Sequence, residues 1–332
     1  MTDAARRHHY VPACYLKSFA VPQDRHRGRF YVYDRSNTHT FPSSPDNAAH
    51  QRDFYRVELD GEHPNLVENT YEALETRFAP TLRSTVESGM LPKDEDGMHE
   101  LLAFVATQAV RTPRVRQMQS KAYNDVSMLY FHTLGQNKNA FKKAWRDEFP
   151  GLTSEELESK YAAHVDFLAK PGARVEMDQT TLVRDALVLA GELEDILAKR
   201  SWILLVAPAE SLLVTSDDPV LLRPANSNPK HPLWSPGFDD RNTEVLVPLS
   251  PRLALAGLPY EYTARARLRM NRAQVAAFNT DLALKAHRFV YSTDPNFVQL
   301  TQDGSSVVEG PIDWLSLSAQ PPVPTFNFFS AD

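Results

Sequence analysis

Strand-like segments stand at both ends of this chain and amphipathic helical segments fill its middle, and this order limits the fold more than any single motif. RFYVYD (29–34) alternates Phe30 and Val32 with Tyr31 and Tyr33, the two-residue period of a strand. DFYRVEL (53–59) reads as a second strand, reached through a long loop. From Pro64, Leu66, Val67, Tyr71, Leu74, Phe78 and Leu82 recur at three- and four-residue steps, and Gly89 and Pro92 end that helix. MHELLAFVATQAVRT continues as a helix that starts at the acids Asp94–Asp96 and is bounded by Pro113. Helix follows to about 134, then near 138–148, 153–168 and 181–200. WILLVAP, SLLVTSD, EVLVPLS and RLALAGL then read as four strands, with a helix at 269–288 and a last strand FVYST. Strands from the two ends have to pair across the helical block. This predicts one α+β domain over 1–332, a mostly antiparallel sheet formed from N- and C-terminal strands with a large helical insertion. The helical block covers about 64–200, the C-terminal strand-rich part about 201–293, and an extended tail 318–332.

With 42% hydrophobic and 23% charged residues, the 332-residue chain has the composition of a folded globule; collagen, coiled coil, disorder and a disulfide scaffold are excluded. Its one cysteine, Cys14, rules out an internal disulfide and fits a reducing compartment. The most apolar stretches, 101–110 and 201–214, fall short of the roughly 20 residues of a membrane helix. No signal peptide opens the sequence, so the expected location is the cytoplasm, with no membrane partner. A net charge of -6 gives no global support to nucleic-acid binding.

Four constellations carry chemistry. Arg6-Arg7-His8-His9-Tyr10-Val11-Pro12 holds two imidazoles, each a ligand for a divalent metal or a general base. Adjacent residues of a strand point to opposite faces, so both reach one metal only from bent backbone. The competing reading is a backbone-bonded histidine beside a solvated one. Gln108 and Arg111 lie three residues apart on one helix face, suited to a carboxylate or phosphate, or to a buried structural ion pair. Arg111 should pair with Glu75 or Glu68. Glu68, Glu72 and Glu75 run along one helix side, as a metal or proton site or as a solvated face. Thr215-Ser216-Asp217-Asp218-Pro219 closes an apolar strand, where Asp217 can ligate a metal or orient a histidine, or form a turn before proline. Cys14 is a nucleophile near the histidines or a packing residue. Basic runs at 25–29, 111–116 and 265–272 can each meet phosphates or stay solvated. No P-loop, G-x-S-x-G, G-x-G-x-x-G or H-E-x-x-H motif occurs.

RHHYVPACYLKSFA resembles the opening of a bacterial family of unknown function named for its His-His-Tyr-Val-Pro motif. RFYVYD, VENTYEALE, FVATQAVRTPR, LLVTSDDPV, VLVPLSPRLAL and NTDLALKAHRFVYS resemble it in the same order, over roughly residues 6–292. The resemblance picks out His8, His9, Tyr10, Pro12, Glu68, Glu75, Gln108, Arg111, Ser216, Asp217, Pro219, Pro248 and Asn279. Lys17 and Asp218 depart from its pattern, where Arg and Asn are frequent. No activity comes with it. A list so rich in polar side chains favours an enzyme, a metal-dependent hydrolase of a phosphodiester or nucleotide. His8, His9, Asp217 and Glu75 are its expected catalytic groups, with His8, His9 and Asp217 as ligands of a divalent metal. Gln108, Arg111, Tyr10 and Asn279 are its expected substrate contacts, and a small nucleotide or nucleic acid its partner. The alternative is a non-catalytic ligand- or partner-binding regulatory protein whose polar residues form a structural network. Tyr10 and Val11 should anchor the N-terminal segment and leave one imidazole facing Asp217 or Arg111.

Overall fold

A computed structural model describes residues 7–21, 28–225, 236–258, 267–301 and 304–312. The tail expected over 318–332 and parts of the first and third basic runs lie outside them. The strands are β1 (Arg7–His9), β2 (Phe30–Asp34), β3 (His39–Ser43), β4 (His50–Arg52), β5 (Ser201–Val206), β6 (Thr215–Ser216) and β7 (Leu221–Pro224). They continue with β8 (Thr243–Ser250), β9 (Leu253–Leu258), β10 (Arg267–Arg269), β11 (Phe289–Ser292), β12 (Phe297–Leu300) and β13 (Val307–Gly310). The α-helices are α1 (Ala13–Leu16), α2 (Leu66–Ser88), α3 (Glu95–Val110), α4 (Pro113–Gly135), α5 (Lys138–Glu148), α6 (Ser154–Ala169), α7 (Gln179–Ala198) and α8 (Arg272–Lys285). The class is α+β with antiparallel pairing dominant; β10 runs parallel to β5. No helix among the described residues is long and apolar enough to cross a membrane.

Two compact units divide the chain: Met1–Val115 with Val183–Asp332, and Arg116–Leu182. In the first, β2 pairs antiparallel with β11 in a sheet of order β3-β2-β11-β6, so strands from the two ends join across the helical block. A second sheet has the order β10-β5-β9-β8-β7. Its inner strands read as unbroken apolar runs because both faces are covered. Trp202, Leu204, Val245 and Val247 join a core with Phe78, Leu82, Phe104 and Val105 of α2 and α3. Ile203, Leu205 and Leu246 join another with Val275, Phe278 and Leu282 of α8. In the second unit α5 and α6 pack on Phe141, which contacts the rings of Trp145, Tyr161 and His164. A capping box, Thr153 with Glu156, starts α6.

Residues 53–59 are not a strand. Asp53 has φ 53°, which turns the chain, and the Tyr55 N–H donates to His8 Nδ1 (2.7 Å) instead of to a strand neighbour. Phe54, Tyr55 and Val57 are buried without alternation. The partner of β2 on that side is β3, from the stretch expected to be loop. SLLVTSD gives only the two-residue β6, and the β12–β13 hairpin adds a pair not foreseen in the pattern.

Candidate functional site

β1 pairs with β4, setting His9 opposite His50, and Tyr10 N–H then donates to Ala49 O (3.0 Å). Tyr10 and Val11 are buried, so the N-terminal segment is anchored as expected. His8 is fully buried; its ring stacks on Tyr55 at 5.8 Å and 9°, and its Nδ1 accepts the Tyr55 N–H. An Nδ1 that accepts from the main chain makes His8 part of the scaffold.

Arg111 caps α3 and is 2% exposed. Its Nη1 pairs with Glu75 Oε1 (2.9 Å), Nη2 donates to His9 O, and Nε donates to the Tyr55 hydroxyl (3.3 Å). The Tyr55 hydroxyl donates back to Arg111 O (3.1 Å), and the guanidinium lies 4.4 Å from the Tyr71 ring centroid. The expected ion pair with Glu75 is present. Tyr55 and Tyr71, neither singled out in the sequence, complete it. The only sign of them there is aromatic content in a segment read as strand and on the apolar side of α2.

His9 is the half-buried imidazole, touching His50 edge-on at 5.5 Å. Its ring hydrogen-bonds the backbone of Asp46, while Nε2 is buried and has no hydrogen-bond partner. Burial, with His50 and Arg111 nearby, pushes its pKa down to about 4. Glu68 accepts the His9 backbone N–H, and its Oε2 is buried and unpartnered. Burial raises its carboxyl to about 7; Arg111 opposes this and Glu75 and Glu72 add to it. Gln108, one turn before Arg111 on the same side of α3, is fully buried, and neither amide atom has a partner. Buried amides are nearly always bonded, so a fully open one calls for a water or a ligand. Cys14 is half-buried within the influence of Glu75 and Arg111; burial pushes its thiol up to about 11, as in a packing residue.

Asp217 and Asn279 stand apart from this centre. Asp217 accepts three backbone N–H groups, from His287 (2.9 Å), Arg288 (2.7 Å) and Phe289 (2.9 Å), tying α8 to β11. Burial pushes its carboxyl up to about 7 against those three bonds. Asn279 accepts from Val214 N–H (3.1 Å) and donates to Leu212 O and Val298 O (2.9 Å each). The expected metal set is not assembled: with His8 and Asp217 bonded to backbone, no group of three His, Cys, Asp or Glu among the described residues is placed to hold a metal. Asp218, which departs from the pattern of the resemblance, gathers Lys285 Nζ (3.0 Å), Arg114 Nε (3.5 Å) and the Thr112 hydroxyl (3.4 Å). A cleft of about 500 Å³ between α2 and α3, lined by Thr81, Thr85, Lys93, Asp94 and Glu100, holds none of the expected site residues.

The one comparison that finds a relationship is a family model described as protein of unknown function (DUF4238), which matches residues 7–296. The chain belongs to that family. No curated protein and no solved structure matches. The DUF4238 match contains every candidate site residue named from the sequence, from His8 to Asn279, and brings no reaction with it.

Proposed function

We propose that the protein is a hydrolase of a phosphodiester or nucleotide, working by acid–base chemistry at His9 and Glu68. The observation that carries this reading is that His9 and Glu68, both within the influence of Arg111, each keep one buried, unpartnered polar atom and are in opposite protonation states near pH 6. The imidazole is neutral, and because Asp46 occupies the other ring nitrogen, Nε2 is the lone pair available to take a proton from water. The water oxygen then bonds to phosphorus, the ester bond breaks, and protonated Glu68 delivers a proton to the leaving oxygen. Gln108 orients the substrate with its open amide. Arg111 holds His9 by its carbonyl and Glu75 by its carboxylate, which makes it a positioning residue.

A second reading, a non-catalytic protein whose polar motif is a structural clasp, draws on the backbone bonds of His8, Asp217 and Asn279. Hydrolysis of bis(p-nitrophenyl) phosphate and of cyclic and linear nucleotides separates the two. His9→Gln and Glu68→Gln should each lower kcat/KM by about 100-fold or more without lowering the melting point. The wild-type profile should be bell-shaped with flanks near 4 and 7. Absence of turnover across all substrates, with His9→Gln melting far below wild type, would establish the clasp.

A further inference from the structure

The sheet β3-β2-β11-β6 ends at a surface that the His9–Glu68 centre does not use. Register sets Asp34 opposite His39 on one side and Phe289 on the other, and directly opposite residues share a face. Phe41, two residues past His39, is on that face too. His39 is exposed and stacks on Phe41 at 6.0 Å and 22°; Phe41 and Phe289 pack against the core on one side and stay partly exposed. The Arg288 guanidinium lies 4.6 Å from the Phe289 ring centroid.

Cations collect beside these rings, at the C-terminal end of α8. Arg288 forks onto Asp34 at 2.8 and 2.6 Å, and Arg35 donates to Ala286 O (3.4 Å). Arg114 donates to Lys285 O (2.8 Å) and, with Lys285, pairs with Asp218. The acids and Lys285 are inside and two arginines outside: the Asp34 and Asp218 side chains are 4% and 1% exposed, those of Arg288 and Arg114 48% and 40%. The carboxylates therefore fix the cations in place while the charge that meets solvent is positive. His287, exposed between them, is held toward its neutral form by burial and by Arg114, Arg288 and Arg35.

We propose that this surface binds single-stranded nucleic acid, with Arg35, Arg114 and Arg288 on the phosphates and His39, Phe41 and Phe289 against the bases. Rings beside cations are what unstacked bases and their backbone need, and a duplex hides its base faces. The overall charge of -6 offers no long-range pull on a duplex, so affinity has to come from this local patch and from stacking. The inference does not depend on the hydrolytic reading, because binding is measured without turnover.

The test is fluorescence anisotropy with a labelled oligothymidylate of roughly 12 nucleotides, within the span one such surface covers. The matching duplex and unlabelled heparin serve as competitors. The single strand should bind saturably at low salt and be displaced poorly by either. Arg114→Gln and Arg35→Gln should each reduce the salt slope by about one. Phe289→Leu, and Phe41→Leu as a second variant should the first not fold, should weaken the single strand at least about fivefold without changing heparin binding. No saturable binding at low salt overturns the proposal. So does binding in which heparin or duplex competes equally and both leucine variants are neutral, the signature of a bare polyanion patch.

Discussion

Arg111 concentrates more separate partners than any other side chain of the candidate site. Its guanidinium joins Glu75, the His9 carbonyl and the Tyr55 hydroxyl, and lies on the Tyr71 ring. A lysine keeps the charge but offers one point in place of a planar fork, so it cannot satisfy these directions together. Arg111→Lys should therefore destabilise the fold by about 2–4 kcal/mol, because an incompletely paired charge is left buried beside Glu75. Chemical denaturation measures it; a loss under about 0.5 kcal/mol would show that the network is slack. This ion pair was legible in the sequence, since an arginine ending an apolar helix run needs a carboxylate and Glu75 is on the neighbouring helix. The roles of the two histidines were not. Adjacent residues look alike in a sequence, and only the turn at Asp53, which brings Tyr55 N–H onto His8, makes one structural and leaves the other half-buried.

Elements were legible where their period is long. α2, α3, α7 and α8 stand where the sequence places helices, and Gly89 at φ 61° ends α2 as expected. Short elements were not: β3, β4 and β6 span two to five residues, and their place is set by partners distant in sequence, which periodicity does not encode. Asp217 shows the same limit. An aspartate after a strand suggests a ligand, yet three backbone N–H groups from the turn after α8 take up its carboxylate. Asp217→Asn keeps the shape but replaces an acceptor with a donor facing those N–H groups. It should lower stability by about 1–3 kcal/mol, read by thermal melting. Retention of the wild-type melting point would mean that the α8–β11 junction is held by its other contacts.

At the scale of the whole molecule, several carboxyls are folded into places that disfavour their charge. Burial raises Glu68, Asp217 and Glu244 to about 7 and Asp281 to about 6, from ordinary values near 4. A carboxyl raised in the folded state contributes stability that is complete below its unfolded pKa and lost as pH rises through its folded one. For these four the window is about 4 to 7. His9 runs the other way: lowered from 6.5 to about 4, its contribution is complete above 6.5 and lost as pH falls. Asp34, held near 2 by Arg288, loses its contribution only below about 4 and does not act in this window. His50 and His287 are also lowered, but both are closer to solvent. The carboxyls therefore set the slope, and stability should fall as pH rises from 5 to 8, with Tm dropping by roughly 5 °C or more. Glu68→Gln removes one of the four titrations while keeping an oxygen for the His9 N–H, so the Tm difference between pH 5 and pH 8 should narrow, mainly through a higher Tm at pH 8. A Tm that is flat or rises across this range would mean that these carboxyls stay ionised in the fold, and Glu68 would then be a base beside His9, with no acid left to protonate a leaving group.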